Sequence, residues 1–134
     1  MPLVRITMPA VFPPDQRAAL SEGVHRALVE VAKAPADDKF QILELAPPES
    51  IVFTPSYLGL THRAPLVVIQ VFMNAGRTVD VKKALYAALA DAVTAAAPVR
   101  REDVIVNLVE VPRENWSFGG GVMSYPQEIR GGTS

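Results

Sequence analysis

Pro2 is the residue whose chemistry stands out, because it directly follows Met1 and opens an apolar, β-prone run. Removal of Met1 would turn Pro2 into a free secondary amine, a group that no other residue type supplies. α-Amino groups titrate at about 7.7–8.0, and nearby cations or apolar walls lower such a pKa toward neutrality. The same nitrogen could therefore act as a base or as an acid. The alternative is that Pro2 is simply a residue tolerated at the start of a strand.

Arg77 is a second candidate, since it lies between Gly76 and Thr78, just before a predicted helix. A guanidinium at that place could hold a substrate carboxylate through two parallel hydrogen bonds. The helix dipole opposes a positive charge at a helix start, which makes a purely structural role less natural. The sequence favours Arg77 as an anion-binding residue, with a structural role as the alternative.

The composition narrows the class of protein. The 134 residues predict one domain, 1–134, that is long enough to bury a core. The chain has no Cys and only His25 and His62 as histidines, so we expect no metal and no cofactor. Lys and Arg number 13 against 14 acidic residues without a basic run, so we expect no nucleic acid partner, and a small polar or anionic ligand remains open.

The apolar stretches are far shorter than the roughly 20 residues of a membrane span, and the start of the chain lacks the layout of a signal peptide. We therefore expect no membrane association and a cytoplasmic protein.

An internal repeat organises the chain, because a shift of 65 positions aligns its two halves without a gap across most of their length. Repeat one covers about 2–46, repeat two about 66–111, and a tail covers 112–134. The pairs that match under this shift include Val4 with Ile69, Ile6 with Val71, Met8 with Met73, and Asp38 with Asp103.

Each repeat has a β-α-β pattern. In the first, strand Leu3–Met8 precedes a helix over about 14–33 and strand Phe40–Leu45. In the second, strand Leu66–Met73 precedes a helix that Thr78 caps, followed by strand Val104–Val111. Two right-handed β-α-β units sharing a sheet predict an α+β fold, with a four-stranded mixed sheet and both helices on one face.

The other face of this sheet is predicted to be an interface. If the residues in register with Val4 face the helices, the opposite face carries Leu3, Arg5, Val68 and Phe72. This surface is too apolar for water and too polar for a dry core, and sheets with parallel pairs are normally covered on both sides. We therefore expect a homo-oligomer.

Between the repeats, 46–65 is rich in Pro and Gly, with a short strand predicted at Ile51–Phe53 and a turn at Pro55–Gly59.

The Pro2-Leu3 strand, the duplicated β-α-β unit and the tail sequence Trp116-Ser117-Phe118-Gly119 together resemble the tautomerase superfamily, over nearly the whole chain. The malonate semialdehyde decarboxylase-like branch is the most similar, through Asp38, Arg77 and Asp103-Val104-Ile105-Val106. The resemblance implies an amino-terminal Pro as catalyst, a tautomerase (MIF-like) fold and a homotrimer with an active site around each Pro.

The resemblance also implies roles for further residues. Asp38 would orient or activate a water or carbonyl, although an acid before a strand is often a solvated turn residue. Trp116, Phe118 and Tyr125 could wall the pocket or pack the tail on a neighbouring subunit. His25 matches a helix histidine of related members, with a hydrogen-bonded structural role as the alternative.

One departure concerns the stretch Asn74-Ala75-Gly76-Arg77. The decarboxylase pattern has two Arg flanking one residue here, and this chain lacks the first; Asn74 in the same stretch is a candidate for substrate binding. One cation grips a carboxylate less firmly than two.

Two classes of function remain open. The first is an enzyme that acts on a small carboxylate-bearing 2-oxo acid or enol. As a tautomerase it would use neutral Pro2 as general base and Arg77 to hold the carboxylate. As a decarboxylase or hydratase it would use cationic Pro2 and Asp38. The second class is a non-catalytic trimeric ligand-binding module.

Overall fold

The computed structural model describes residues 2–125. Its regular structure consists of three short 3-10 helices, which lie between the main elements and after the last strand, and of six strands and two α-helices. In chain order these are β1 (Leu3–Pro9), α1 (Pro14–Glu30), β2 (Phe40–Ala46), β3 (Ser56–Tyr57), β4 (Leu60–Thr61), β5 (Val67–Asn74), α2 (Val79–Ala96) and β6 (Val104–Val111).

The main sheet has the strand order β2-β1-β5-β6. Each repeat contributes a parallel pair, β1 with β2 and β5 with β6, and the two repeats meet through the antiparallel pair β1 with β5. The predicted α+β architecture with a four-stranded mixed sheet is confirmed. Because β1 and β5 run in opposite directions, the start of β1 and the end of β5 lie at the same end of the sheet. This end, where Pro2 precedes β1, is here called the Pro2 edge.

One face of the sheet packs against both helices, as the alternation of apolar residues predicts. The side chains that β1 and β5 place on this face are buried and form one core with the inner sides of the helices, while those of β2 and β6 are only partly covered. The largest of its fully buried side chains are Ile6, Met8, Leu20, Leu28, Ile69, Met73, Leu85 and Leu89.

The two helices approach each other closely at Gly23 of α1. A Cβ atom built on Gly23 would lie 3.0 Å from the Cβ of Ala92 on α2, so only the smallest side chain fits there without a shift. At the start of α2, the Thr78 hydroxyl accepts a hydrogen bond from the Val81 N–H at 3.2 Å. The predicted cap at Thr78 is confirmed.

The opposite face of the sheet, here called the outer face, is less completely covered. Leu3, Val68 and Phe72 are half-buried on it, and Arg5 is exposed. Ile105 lies opposite Val68 on β6, with 37% of its surface exposed. The outer face thus leaves apolar side chains partly open within a single chain.

Two local features differ from the sequence expectations. The predicted strand at Ile51–Phe53 is wrong: the strands of this segment are instead the short hairpin of β3 and β4, whose turn residues Leu58 and Gly59 both have positive φ. The glycine and the preceding Pro55 favour a tight turn over a longer strand. Helix α1 ends at Glu30 rather than near 33, because Lys33 adopts a left-handed φ of 61°.

Neither helix within residues 2–125 is long and apolar enough to cross a membrane. The same residues contain no group of three or more His, Cys, Asp or Glu side chains arranged to hold a metal ion. The predicted removal of Met1 and the end of the tail after Tyr125 lie outside the described residues.

Candidate active site

The strand register brings four of the predicted site residues to one edge of the sheet. Pro2 precedes β1 and is buried, and Asp38 precedes β2, which is parallel to β1. Leu3 pairs with Phe72 of the antiparallel strand β5, so Asn74 at the end of β5 lies at the same edge. Arg77 follows after a short loop. Residues from both repeats thus surround the start of β1.

Asp38 is held in a buried position, with 4% of its surface exposed. Burial raises the pKa of the Asp38 carboxyl, and the neighbouring charge of Asp37 raises it further, while His25 acts in the opposite direction. His25 itself is buried on α1, and its Nε2 lies 2.9 Å from the Ala36 carbonyl oxygen. His25 therefore anchors the loop that carries Asp38.

Asp103, the counterpart of Asp38 in the repeat, is buried in a different environment at the opposite edge of the sheet. Burial acts to raise the pKa of Asp103, but hydrogen bonds from the Arg100 guanidinium and the Arg63 N–H outweigh it and hold the pKa below the usual value. The His62 Nδ1 lies 3.6 Å from the same carboxylate. The two matched carboxyls thus have pKa values shifted in opposite directions.

Arg77 lies before the start of α2 and hydrogen-bonds to the backbone at the ends of α1 and β5. Its Nε and Nη2 donate to the Ala32 carbonyl oxygen at 3.2 and 2.9 Å, and its Nη1 donates to the Asn74 carbonyl oxygen at 3.1 Å. Ala32 follows the end of α1, where carbonyl groups carry partial negative charge. This partner explains why an Arg is tolerated beside the start of α2. Three of the five N–H donors of the guanidinium are used in this way, and the other two have no acceptor among residues 2–125.

Glu110, which the sequence analysis did not single out, holds the loop before Arg77. Its carboxylate accepts hydrogen bonds from Lys82 Nζ at 2.8 Å and from the Gly76 N–H at 3.3 Å. The hydrogen bond from Lys82, together with Gly76 and the charge of Arg77, keeps the pKa of Glu110 below its usual value. The only sequence signal was an acid near the end of a predicted strand, which by itself does not identify a partner.

The tail forms an aromatic cluster at the Pro2 edge. The rings of Trp116 and Phe118 stack with centroids 4.9 Å apart, and Tyr125 meets Phe118 edge-on at 6.3 Å. Phe40, at the start of β2, adds a fourth ring 5.2 Å from Phe118. The Arg113 guanidinium lies 4.3 Å from the centre of the Tyr125 ring. The three predicted aromatic residues therefore come together, and Phe40 and Arg113 join them.

The tail is tied to β5 by a side-chain hydrogen bond: the Trp116 indole N–H donates to the Asn74 Oδ1 at 2.6 Å. The tail also closes on itself, because the Ser124 N–H donates to the Trp116 carbonyl and the Ser124 hydroxyl accepts from the Phe118 N–H. Gly119, Gly120 and Gly121 all have positive φ within this loop, a conformation that L side chains rarely adopt. The cluster is thus held in place next to Asn74.

A cavity of about 450 Å³ lies at the other edge of the sheet, between the end of β1 and the start of β5. It is lined mostly by apolar side chains, including Pro9, Phe12, Ile51 and Leu66. None of the predicted site residues lines it. The predicted site residues therefore lie apart from this cavity, at the Pro2 edge.

The mixed sheet with a buried Pro at the start of β1 is the fold of tautomerases, and the comparisons with known proteins agree. Two family models, each described as tautomerase enzyme, match residues 2–61 and 38–119. The chain belongs to the tautomerase family and is an enzyme.

The relatives place it near one branch of that family. A probable tautomerase of Bacillus subtilis, YusQ, is 31% identical over 90% of this chain and 95% of its own length. A malonate semialdehyde decarboxylase inhibited by 3-bromopropiolate is 36% identical with a TM-score of 0.84, covering 92% of this chain and 93% of that one. A symmetric trimer of a fused 4-OT is 25% identical with a TM-score of 0.77, over 91% and 95% of the two chains.

Proposed function

We propose that the protein is a Pro-dependent tautomerase acting on a small 2-oxo acid or its enol. Neutral Pro2 is the general base, and the two N–H groups of Arg77 that the backbone does not use hold the substrate carboxylate. The observation that carries this proposal is the meeting of Pro2, Asp38, Asn74 and Arg77 at one edge of the sheet, under an aromatic cluster.

In the direction of ketonisation, the Pro2 nitrogen takes the proton of the enol hydroxyl, and carbon 3 receives a proton as the carbonyl forms. The substrate loses one O–H bond and gains one C–H bond, so no further reactant is needed. Arg77 fixes the carboxylate so that both atoms lie near the same nitrogen. The rings of Trp116 and Phe118 exclude water that would otherwise compete for the proton.

Assembly belongs to the same proposal. The single domain, with its two repeats and tail, forms a homotrimer through the outer face of the sheet, where apolar side chains remain partly open. The trimeric relative of similar fold supports this arrangement. The substrate is a small carboxylate, and neither a cofactor nor a nucleic acid takes part.

Decarboxylation is the second candidate, and a specific observation favours it. Asp38 is buried at the Pro2 edge, and a relative of 36% identity is a malonate semialdehyde decarboxylase. In that reaction Pro2 would stay cationic and polarise the substrate carbonyl, with Asp38 orienting the substrate. A non-catalytic binding module has less support, because the chain belongs to a family of enzymes.

The test compares three proteins of defined amino terminus. The Met-free protein, verified by intact mass, should ketonise phenylenolpyruvate. Pro2→Ala should lose most of the rate and keep its fold, with some residual activity because an amino-terminal alanine still supplies a primary amine. The same chain with Met1 retained has the Pro2 nitrogen in an amide and should be inactive. Equal rates in all three proteins would remove Pro2 from the mechanism.

The two candidate reactions are separated by Ala75→Arg, which adds a second cation beside Arg77 and leaves Asn74 in place. Decarboxylation of malonate semialdehyde should be slow in the unmodified protein and faster in this variant, because two guanidinium groups grip the carboxylate more firmly. Ala75→Lys is the matched control for charge without the planar fork. Efficient decarboxylation by the unmodified protein would instead favour the second candidate.

A further inference from the structure

The orientation of the Asn74 side chain is set by its partner. The indole N–H of Trp116 can only donate a hydrogen bond. The atom 2.6 Å away must therefore be the amide oxygen of Asn74, as the structure has it. This assignment removes the usual ambiguity between the oxygen and nitrogen of an Asn amide. The N–H2 group of Asn74 consequently points away from Trp116.

This N–H2 group has no acceptor among residues 2–125 and lies at the Pro2 edge. Phe72 pairs with Leu3, so continuing the antiparallel register places Met73 opposite Pro2 and Asn74 one position beyond. Pro2 directly precedes Leu3, the first residue of β1, so its nitrogen lies at the same end of the sheet as Asn74. The backbone carbonyl of Asn74 also accepts from Arg77 at 3.1 Å. One residue thus links the aromatic cluster to the guanidinium.

We propose that Asn74 binds the oxygen on carbon 2 of the substrate through its N–H2 group, and that Trp116 is the positioning residue that orients this amide. This proposal rests on the proposed function and states which acids the site selects. Arg77 takes the carboxylate, and Asn74 takes the neighbouring carbonyl or enol oxygen. The site then selects acids that carry an oxygen on carbon 2.

The uncharged nature of the donor matters for the reaction. An amide N–H stabilises negative charge that develops on the substrate oxygen when the enol proton leaves. A second guanidinium at this place would also disfavour a proton on Pro2 through its positive charge. The amide supplies the hydrogen bond without adding a positive charge near the Pro2 nitrogen. The chemistry of Asn74 therefore fits proton transfer between oxygen and carbon.

A double-mutant cycle tests whether Trp116 acts through Asn74. Asn74→Ala should lower kcat/KM for phenylenolpyruvate by about 10–100-fold, as expected for the loss of one hydrogen bond to a developing charge. Trp116→Phe keeps an aromatic ring on Phe118 but removes the N–H, and should lower it by about 3–10-fold. In the Asn74→Ala background, Trp116→Phe should change the rate by less than about twofold. Effects that multiply would overturn the proposal.

A binding measurement tests the same idea without turnover. The chain has one Trp, so its indole N–H gives a single nuclear magnetic resonance signal that reports directly on the bond to Asn74. This signal should shift in Asn74→Ala and stay in place in the matched control Asn115→Asp, which alters an exposed Asn next to Trp116. An unchanged indole signal in Asn74→Ala would contradict the orienting bond.

Two stable acids then probe the specificity. 3-Phenyllactate carries an oxygen on carbon 2, and 3-phenylpropanoate does not. The first should bind more tightly and shift the amide N–H2 signals of Asn74, and Asn74→Ala should abolish the difference in affinity. Equal affinity of the two acids for the unmodified protein would overturn the proposal. If this preference is present but no enol is turned over, the proposed function fails while the role of Asn74 in binding stands.

Discussion

Arg77 has structural contacts that are compatible with its proposed role in ligand binding. Its guanidinium satisfies carbonyl oxygens at the end of α1 and the end of β5, and these contacts fix the direction of its two remaining N–H groups. A flexible cation would lose more conformational freedom when it binds a carboxylate. The structural contacts therefore support the proposed binding role rather than compete with it.

We predict that Arg77→Ala raises KM for a carboxylate substrate by about 10–100-fold, because a charge-assisted contact is lost. It should also lower the free energy of unfolding by about 1–3 kcal/mol, because the partly buried carbonyl oxygens of Ala32 and Asn74 lose their donors. Arg77→Lys retains the charge and should recover only part of both losses, since Lys cannot supply the planar fork. Steady-state kinetics and urea unfolding measure the two effects. An unchanged KM in Arg77→Ala would remove Arg77 from substrate binding.

The opposite pKa shifts of Asp38 and Asp103 predict opposite effects of their ionisation on the stability of the fold. The raised pKa of Asp38 means that folding disfavours its ionised form, so the protein loses stability as the pH rises through that pKa. Asp38→Asn should therefore be more stable at neutral pH. The lowered pKa of Asp103 means that its stabilising effect is present above the usual Asp pKa and is lost as the pH falls toward the folded value.

Asp103→Asn should accordingly be less stable at neutral pH, by about 1–3 kcal/mol, because the hydrogen bonds from Arg100 and Arg63 are weakened. Its unfolding free energy should also depend less on pH below about 4. Urea unfolding from acid to neutral pH measures both variants, with the exposed Asp15→Asn as a control. Two variants that shift stability in the same direction would contradict the contrast between the repeats.

The residues that could do chemistry were recognisable from the sequence, but their partners were not. Pro2 and Arg77 have side chains whose chemistry is unusual at their positions, so residue type alone indicates them. The bond between Trp116 and Asn74 joins residues 42 positions apart and depends on how the tail folds back. No periodicity or spacing predicts such a contact. The opposite shifts of Asp38 and Asp103 likewise depend on neighbours that only the fold brings together.

At the scale of elements, the position of the site depends on the close packing of α1 on α2. A Cβ on Gly23 would lie 3.0 Å from the Cβ of Ala92, so a larger side chain requires the two helices to shift. The end of α1 supplies the Ala32 carbonyl to Arg77, so a shift between the helices would move the guanidinium. The packing of the helix layer and the geometry of the site are therefore coupled.

We predict that Gly23→Val lowers the free energy of unfolding by about 1–3 kcal/mol, because its methyl groups would overlap Ala92 and force the helices apart. Ala18→Val, at an exposed position of the same helix, carries the propensity cost of Val alone and should lose less than about 1 kcal/mol. Thermal or urea unfolding compares the two. Equal losses would show that the helix contact tolerates a larger side chain.

The main elements were predictable because each has a strong hydrophobic period. The matched patterns of the two repeats predict the strands and both helices, and the bounds differ by only a few residues. The error at Ile51–Phe53 has a physical cause, since a short apolar run has no period that separates a strand from a loop. Ile51 and Phe53 instead line the cavity at the far edge of the sheet.

At the scale of the whole molecule, the outer face of the sheet determines how subunits could assemble. Within one chain its apolar residues stay half-open, although sheets with parallel pairs are normally covered on both sides. Ile105 lies on this face, away from the Pro2 edge, and pairs with Val68. A side chain at this place can be changed without touching the candidate site. A substitution at Ile105 can therefore test subunit assembly without changing the residues of the candidate site.

We predict that the protein has a mass of about three times its 14.5 kDa chain in light scattering at micromolar concentration. Ile105→Glu should shift it toward the monomer, because each subunit would bring a charge into the apolar interface without a partner. Tyr86→Glu, at a similarly exposed apolar position on the helix layer, should remain trimeric. If the unmodified protein is a stable monomer, the outer face is not the interface. If Tyr86→Glu dissociates instead, the trimer uses the helix layer.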